Sequence, residues 1–218
     1  MYELPLFPLN TVLFPGAPLH LHIFEERYKR MIGMCIQNRE PFGVVLIQHG
    51  VEAQGPLAEP HPIGCTAQII GTARLEQGRM NIVAMGLERF RILSVDRDEY
   101  PYLVGLVENY PLISDSPEAL EVPARRLRLD VEHFIQTLVK VSSGQFDVKQ
   151  LPEDPVQLGF MAAALLQIAP AEKQELLAIE RAETLLEQLQ SLYHRETALL
   201  RTIVSEPGSG QIGSFSRN

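Results

Sequence analysis

Few residues in this sequence are spaced for chemistry, and the first to stand out is the pair His20-x-His22. Two histidines one residue apart on a strand share a face, an arrangement compatible with zinc. No third ligand follows them in sequence. Cys35 and Cys65 stand alone, without a CxxC, and His49 and His61 fall in a loop-like stretch. Ordinary strand histidines are the simpler reading. The second feature is the charged corner Glu25-Glu26-Arg27-Tyr28. Acidic groups favour a helix N-terminus, and Arg27 is placed to pair with them; the same corner also offers a surface to a partner. No GxxxxGK[ST], GxSxG or HExxH occurs, so the phosphate loop, the nucleophile elbow and the zinc-protease helix are all missing. The four lysines, Lys29, Lys140, Lys149 and Lys173, sit in no context that suggests a desolvated base. A cysteine nucleophile needs a histidine that sequence alone does not pair with it. The expectation is a protein that is not an enzyme, with no cofactor and no metal.

The elements that must position these residues change character near residue 112. Before it, Pro and Gly punctuate short β-type runs. Leu4-Pro5-Leu6-Phe7-Pro8-Leu9 reads as an edge or rim strand because of its prolines. Thr11-Val12-Leu13-Phe14 continues in β-type residues to a turn at Pro15-Gly16. Leu19–Phe24 alternates, with Leu19, Leu21 and Ile23 on one face and His20, His22 and Phe24 on the other. A helix begins near Glu25 and ends near Asn38, and Phe42–Ile47 is a strand apolar on both faces. From Ile63 to Leu75 the odd positions hold a period of two; Glu76–Arg79 forms the turn, and the return strand from Met80 carries Gly86 as a point for a bulge or tight bend. Tyr102–Val107 is the last strand. This pattern predicts a small closed or half-closed barrel.

After residue 112 the pattern is helical. Ser116-Pro117 and Asp154-Pro155 are helix starts, a polar cap followed by Pro at the first position. Pro123 is expected to kink or restart its helix, which ends near Ser142-Ser143-Gly144. Leu158, Met161, Leu165 and Ile168 mark one face of the next helix, and Pro170 separates it from Ala171–Ile179. The last helix, about 180–204, aligns Leu185, Leu189, Leu192, Leu199 and Ile203. The expected organisation is a barrel over 1–112, a helical unit over 113–204 and a disordered tail over 205–218, α+β in class.

Composition excludes several roles. Nineteen basic against 27 acidic residues give −8. The deficit is shared: −3 over 1–112 (9 basic, 12 acidic) and −5 over 113–218 (10 and 15). Nucleic-acid binders carry a basic stripe that replaces phosphate counterions. The one cluster here, Arg125, Arg126 and Arg128, is flanked by Glu121, Asp130 and Glu132 and reads as a solvated helix face. Nucleic acid and membrane are disfavoured as partners. No run reaches the ~20 apolar residues of a membrane span, the start has no signal-peptide pattern, and two unpaired cysteines suit a reducing, cytoplasmic setting.

The residues also carry a resemblance. LPLFPLNTVLFPGAPLHLHIFEERYKRMI resembles the opening of the Lon protease N-terminal, or substrate-binding, domain. PIGCTAQIIGTARLEQGRMNIVAMGLERFRI is similar to that family's second signature, PYLVGLVENYP to its barrel-closing strand, and APAEKQELLAIERAETLLEQLQSLYHRE to the helical segment that leads towards its ATPase module. Four blocks in order, over about residues 3–204, make the likeness specific. It implies a PUA-like β-barrel followed by a helical bundle with one long final helix. It also implies recognition of unfolded or extended polypeptide. Because no phosphate loop or Ser-Lys dyad appears, the resemblance is to a stand-alone bacterial form without the ATPase and protease. Such a module would act as an adaptor in protein quality control, working with a separate ATPase or protease. Full-length Lon is hexameric through parts not found here, so a monomer or dimer is expected. The polypeptide-binding residues are placed on the His20 and His22 face and the Glu25, Glu26, Arg27 and Tyr28 corner. The alternative is that of other PUA-like barrels, RNA binding.

Overall fold

The computed structural model of this chain describes residues 1–52, 57–141 and 151–205. Seven strands and one α-helix build the barrel half: β1 (Tyr2–Leu9), β2 (Pro18–Ile23), α1 (Glu26–Asn38), β3 (Phe42–His49), the two-residue β4 (Glu59–Pro60), β5 (Ile63–Arg74), β6 (Met80–Asp96) and β7 (Leu103–Asn109). Four helices follow: α2 (Pro117–Val141), α3 (Pro155–Leu165), α4 (Pro170–Ala178) and α5 (Ala182–Ser205). The expected tail after Ser205, the Ser142-Ser143-Gly144 helix end, Lys149 and the Ile203 side chain lie outside the described residues.

The strand order is β1-β7-β6-β5-β3-β4, with β2 laid on β6 off that path and β1 returning to β3. β1 thus has two neighbours, β7 and β3, where the sequence suggested a simple edge or rim strand. It pairs antiparallel with β7 over Tyr2–Leu6 and parallel with β3 only from Leu6 to Leu9. Each half of β1 therefore has a neighbour on one side alone. A proline nitrogen has an unpaired side to face, so Pro5 and Pro8 break no ladder bond. The sheet curls into a barrel that is not sealed along the full length of its strands. Register shifts in the β5–β6 and β6–β7 pairs add the curvature, and one of them turns Ile70 out to solvent.

The β5–β6 hairpin turns where the sequence placed it, with Gln77 at φ 59° and Gly78 at φ 70°. Thr11–Phe14, read as β-type, is instead an irregular segment that buries Leu13 and Phe14. It lies against Gly86: the Gly16 N–H donates to the Gly86 carbonyl (2.8 Å) and the Gly86 N–H to the Ala17 carbonyl (3.0 Å). A Cβ on Gly86 would collide with the Phe14 carbonyl oxygen, so the glycine serves a close backbone approach and not only a bend.

In the helical half, Ser116 Oγ accepts from the Ala119 N–H (3.2 Å) and Asp154 Oδ1 from the Gln157 N–H (2.8 Å), the two caps the sequence announced. Helix α2 runs through Pro123 without a restart, and the Pro123 carbonyl accepts from Gln190 Nε2 of α5 (3.1 Å). The face expected for α3 is only partly the buried one: Leu158 is buried as expected, Met161 is half-buried and Leu165 is turned out. Leu158, Gly159, Phe160, Ala162 and Ala163 are buried, Leu165 is 38% exposed, and the helix ends before Ile168. A helix apolar all round gives periodicity nothing to choose between. The small residues decide: a Cβ on Gly159 would stand 3.3 Å from Leu186 of α5. Helix α5 buries Leu185 and Leu189 as expected but continues through Tyr193 and Thr197, leaving Leu199 54% exposed. Tyr193 donates its hydroxyl to the Ala162 carbonyl (2.9 Å) and meets Phe134 edge-on at 5.2 Å. Phe14 and Ile63 from the barrel half belong to this helical core, so the two halves share apolar contact.

Candidate functional site

The charged corner precedes and opens α1. Glu25 Oε2 and Arg27 Nη2 are 3.0 Å apart, each side chain about one-seventh exposed, and the Arg27 guanidinium lies 4.7 Å over the Tyr28 ring. Glu26 pairs with Lys29 (2.7 Å), which also donates to the Gln77 carbonyl and ties α1 to the β5–β6 turn. Tyr28 faces inward, contrary to its placement on a contact surface. It is 4% exposed and stacks on Phe7 at 4.0 Å, and burial pushes its hydroxyl up to about 12. Of the corner, Glu26 is the residue left clearly in solvent.

His20 and His22 are both exposed on β2. The His22 ring meets Asn81 Oδ1 at 2.7 Å, and among the described residues no three His, Cys, Asp or Glu gather as a metal site requires. Cys35 and Cys65 are buried and free, and burial pushes their thiols up to about 11 and about 12. Neither is a thiolate at neutral pH.

What the histidines do share is backbone position. Among the described residues β2 pairs only with β6, from Pro18↔Met85 to Ile23↔Met80. Because the Ala17 carbonyl accepts from Gly86, the alternation points the carbonyls of Leu19, Leu21 and Ile23 at β6. The backbone groups of His20 and His22 then face the open edge. Pro18, in phase with them, has no donor to lose there.

That edge leads into a groove of about 730 Å³ between the barrel and α3. Its barrel wall is the Thr11–Leu19 segment with Leu87; its helical wall is Phe160, Met161, Ala164 and Leu165. Leu87 is 46% exposed. Lys173, from the first turn of α4, is the one charged side chain in the lining and donates to the Ala164 carbonyl at 3.1 Å. Burial lowers its pKa, which corrects the expectation that no lysine here is desolvated. Sequence spacing does not assemble this groove, since its walls come from residues 11–19, 87 and 152–173. The signal that was available is α3 itself, VQLGFMAAAL, eleven residues with Pro155 and no charge to mark an outer face.

A second crevice of about 320 Å³ adjoins the groove, shares Pro15, Leu87 and Phe160 with it, and reaches Arg89 and Tyr110. Arg89 is 3% exposed. Its Nη1 donates to the Leu177 and Ile179 carbonyls, both at 2.6 Å, at the C-terminal end of α4. The guanidinium lies 4.8 Å from the Tyr110 ring centre and 5.6 Å from that of Phe160. Burial draws its pKa down to about 10, so it remains a cation at neutral pH. Tyr110 Oη donates to the Ala178 carbonyl (3.1 Å), and Gln174 Nε2 to the Ile63 carbonyl (3.0 Å). These bonds fix α4, which carries Lys173, on the barrel. The Arg125–Arg128 cluster is not a free basic stripe: Arg128 donates to the Leu151 and Pro152 carbonyls.

The candidate site is thus an open, largely apolar cleft between a curled, mixed-pairing sheet and its helical companion. Comparison with known proteins places it. Residues 3–195 match the family described as the ATP-dependent protease La (LON) substrate-binding domain, and the chain belongs to that family. Lon protease of Brevibacillus choshinensis is 28% identical over 202 residues, which are 91% of this chain and 25% of that protein. Lon protease 2 of Syntrophobacter fumaroxidans is 23% identical over 188 residues, 86% of this chain and 24% of that protein. The chain thus spans about a quarter of the length of these relatives. Among solved structures, a Lon N-terminal domain protein from Xanthomonas campestris superposes with a TM-score of 0.61 at 28% identity, covering 88% of this chain and 98% of that one. The N-terminal domain of the Mycobacterium avium complex Lon protease has the same fold, with a TM-score of 0.64 at 15% identity and the same coverages. The barrel-plus-helices fold expected from the sequence is the fold found. Family membership supports a role in substrate recognition. No helix among the described residues is long and apolar enough to cross a membrane.

Proposed function

We propose that this chain recognises extended, unfolded polypeptide without catalysing a reaction on it, as an adaptor-type module of cytoplasmic protein quality control in a bacterium. One observation carries the reading: the unpaired edge of β2 runs directly into an apolar groove, with Pro18 and Leu19 belonging to both. An extended chain satisfies its backbone groups on His20 and His22 by adding a strand and places apolar side chains against Leu87, Met161 and Leu165. A folded protein offers such backbone only at an exposed sheet edge, and rarely with apolar side chains free beside it, so the edge and groove together favour unfolded chain. Glu26 and the two imidazoles border the path; Glu25, Arg27 and Tyr28 hold the corner that carries them. The chain works as a monomer or dimer and passes its client to a separate ATPase or protease. The net charge of −8 works against RNA as the occupant.

The double substitution His20→Pro and His22→Pro tests this reading. It removes the two outward N–H groups and the exposed His22–Asn81 side-chain contact while leaving the β2–β6 backbone ladder intact, because prolines are tolerated on edge strands. Binding of a fluorescent, permanently unfolded casein-type polypeptide, followed by anisotropy at physiological salt, is expected to weaken by about tenfold or more, two lost backbone hydrogen bonds at about 1 kcal/mol each. The melting temperature is expected to stay with the wild type. Unchanged polypeptide binding in the folded variant contradicts strand addition at β2.

A further inference from the structure

The groove holds one charge, and that charge has no counter-ion. Lys173 Nζ has the Ala164 carbonyl as its acceptor and stands in no ion pair among the described residues. Its neighbour Glu172 is paired with Arg195 (2.9 Å), Glu175 is exposed and at i+2 lies off the Lys173 face of α4, and Asp154, near the groove, caps α3. An ammonium has three donors. One caps the end of α3, as a cation at a helix C-terminus does; the other two, at the groove, make no hydrogen bond among the described residues. We propose that the groove takes the carboxyl-terminal end of a polypeptide chain, its last apolar side chains against Leu87, Met161 and Leu165 and its terminal carboxylate on Lys173. This rests on the reading of the groove as a polypeptide site and names which part of the polypeptide it reads.

Two arguments select a terminus over an internal acidic residue. First, the lining is otherwise uncharged and largely apolar, so each further peptide unit drawn into it would bring an N–H and a carbonyl away from water with few partners to receive them. A chain that ends at Lys173 brings none beyond the carboxylate. Second, the open edge of β2 feeds the groove at Pro18 and Leu19, so a chain bonded along His22 and His20 arrives in extended form. Partial burial of Lys173 fits the same picture, since a half-buried ammonium gains from a carboxylate that replaces part of its lost solvation.

The test uses the whole protein and a ten-residue peptide labelled at its N-terminus and ending in Leu-Ala-Leu, made with a free carboxylate or with a C-terminal amide. Anisotropy at neutral pH is expected to give about tenfold tighter binding for the free carboxylate, one charge-assisted contact. Lys173→Met is expected to bind both forms alike, at the affinity of the amide, and Lys173→Arg to retain the preference. A role for Lys173 confined to capping α3 would lower stability and leave the free-to-amide ratio unchanged. Equal binding of both peptides by the wild type overturns the terminal reading while leaving the polypeptide site standing. Binding of an amidated peptide with Asp as its last residue, as tight as the free-carboxylate form, also overturns it in favour of an internal acid. Failure of either peptide to bind, in a protein that binds unfolded casein, assigns the groove to another role and overturns it as well.

Discussion

Replacing Arg89 by Ala is expected to lower the stability of the chain by on the order of 3 kcal/mol, a fall of roughly 10 °C in melting temperature for a protein of this size. The guanidinium is the sole partner that the described structure gives the Leu177 carbonyl from the barrel side, and it holds Ile179 at the same time, each at 2.6 Å. Its loss leaves two carbonyls at the end of α4 without their donor in a buried place. It also removes the cation between Tyr110 and Phe160. Lysine is not an adequate substitute, since a single ammonium lacks the flat face that stacks on Tyr110. Arg89→Lys should therefore recover only part of the loss. Thermal unfolding followed by circular dichroism measures both. A melting temperature within about 2 °C of wild type for Arg89→Ala, well inside the shift expected for so buried a donor, would remove Arg89 as the tie between barrel and helices.

Gly86→Ala is expected to be as damaging for a different reason. The new methyl group meets the Phe14 carbonyl oxygen, a backbone atom that moves only if the whole Phe14–Ala17 segment moves. Overpacking of this kind costs roughly 3 kcal/mol. Because Phe14–Ala17 leads into the groove wall, the variant is also expected to bind unfolded polypeptide more weakly, even at a temperature where it remains folded. Gly71→Ala is the matched control on the neighbouring strand. Its Cβ would stand 3.7 Å from Val83, ordinary contact, so the substitution should be neutral or stabilise by about 0.5 kcal/mol through the unfolded chain. Equal effects of the two substitutions would mean that loss of glycine freedom, and not the close approach at Phe14, sets the cost.

These residues show where the sequence was readable and where it was not. The turn at Gln77-Gly78 and the capped starts at Ser116 and Asp154 are local signals, each complete within a few residues, and each reappears in the fold; the Ile63–Leu75 run reappears as the strand Ile63–Arg74, but two register shifts break its alternation and its burial runs from the Ile63 end instead. The four blocks of the Lon-like pattern were legible for the same reason. The prolines of β1 misled because the rule that confines proline to edges assumes a strand with a neighbour along its whole length; here the two seams share β1 between them. Helix α3 misled because it has no polar side. Arg89 was invisible as a buried latch. Its acceptors lie 88 and 90 positions away, and an arginine between Glu88 and Phe90 reads as one more exposed charge on a strand. The groove is of the same kind, since Leu13, Leu87, Met161 and Lys173 become neighbours only when α4 is fixed to the barrel. Tyr28 shows the opposite error: a polar-tipped residue in a charged run that turns inward to stack on Phe7.

The central claim is that unfolded polypeptide lies along β2 and in the groove beside it, and native-state hydrogen exchange read by mass spectrometry tests it most directly. With saturating casein-type polypeptide, peptides covering Pro18–Ile23 are expected to exchange more slowly, because the outward amides of His20 and His22 become hydrogen-bonded, and so are those covering Leu13–Ala17 and Met161–Leu165. The tyrosine-bearing core of α5 around Tyr193 should be unaffected. Protection confined to the helical surface of α2 and α5, with β2 exchanging as in the free protein, would contradict the account.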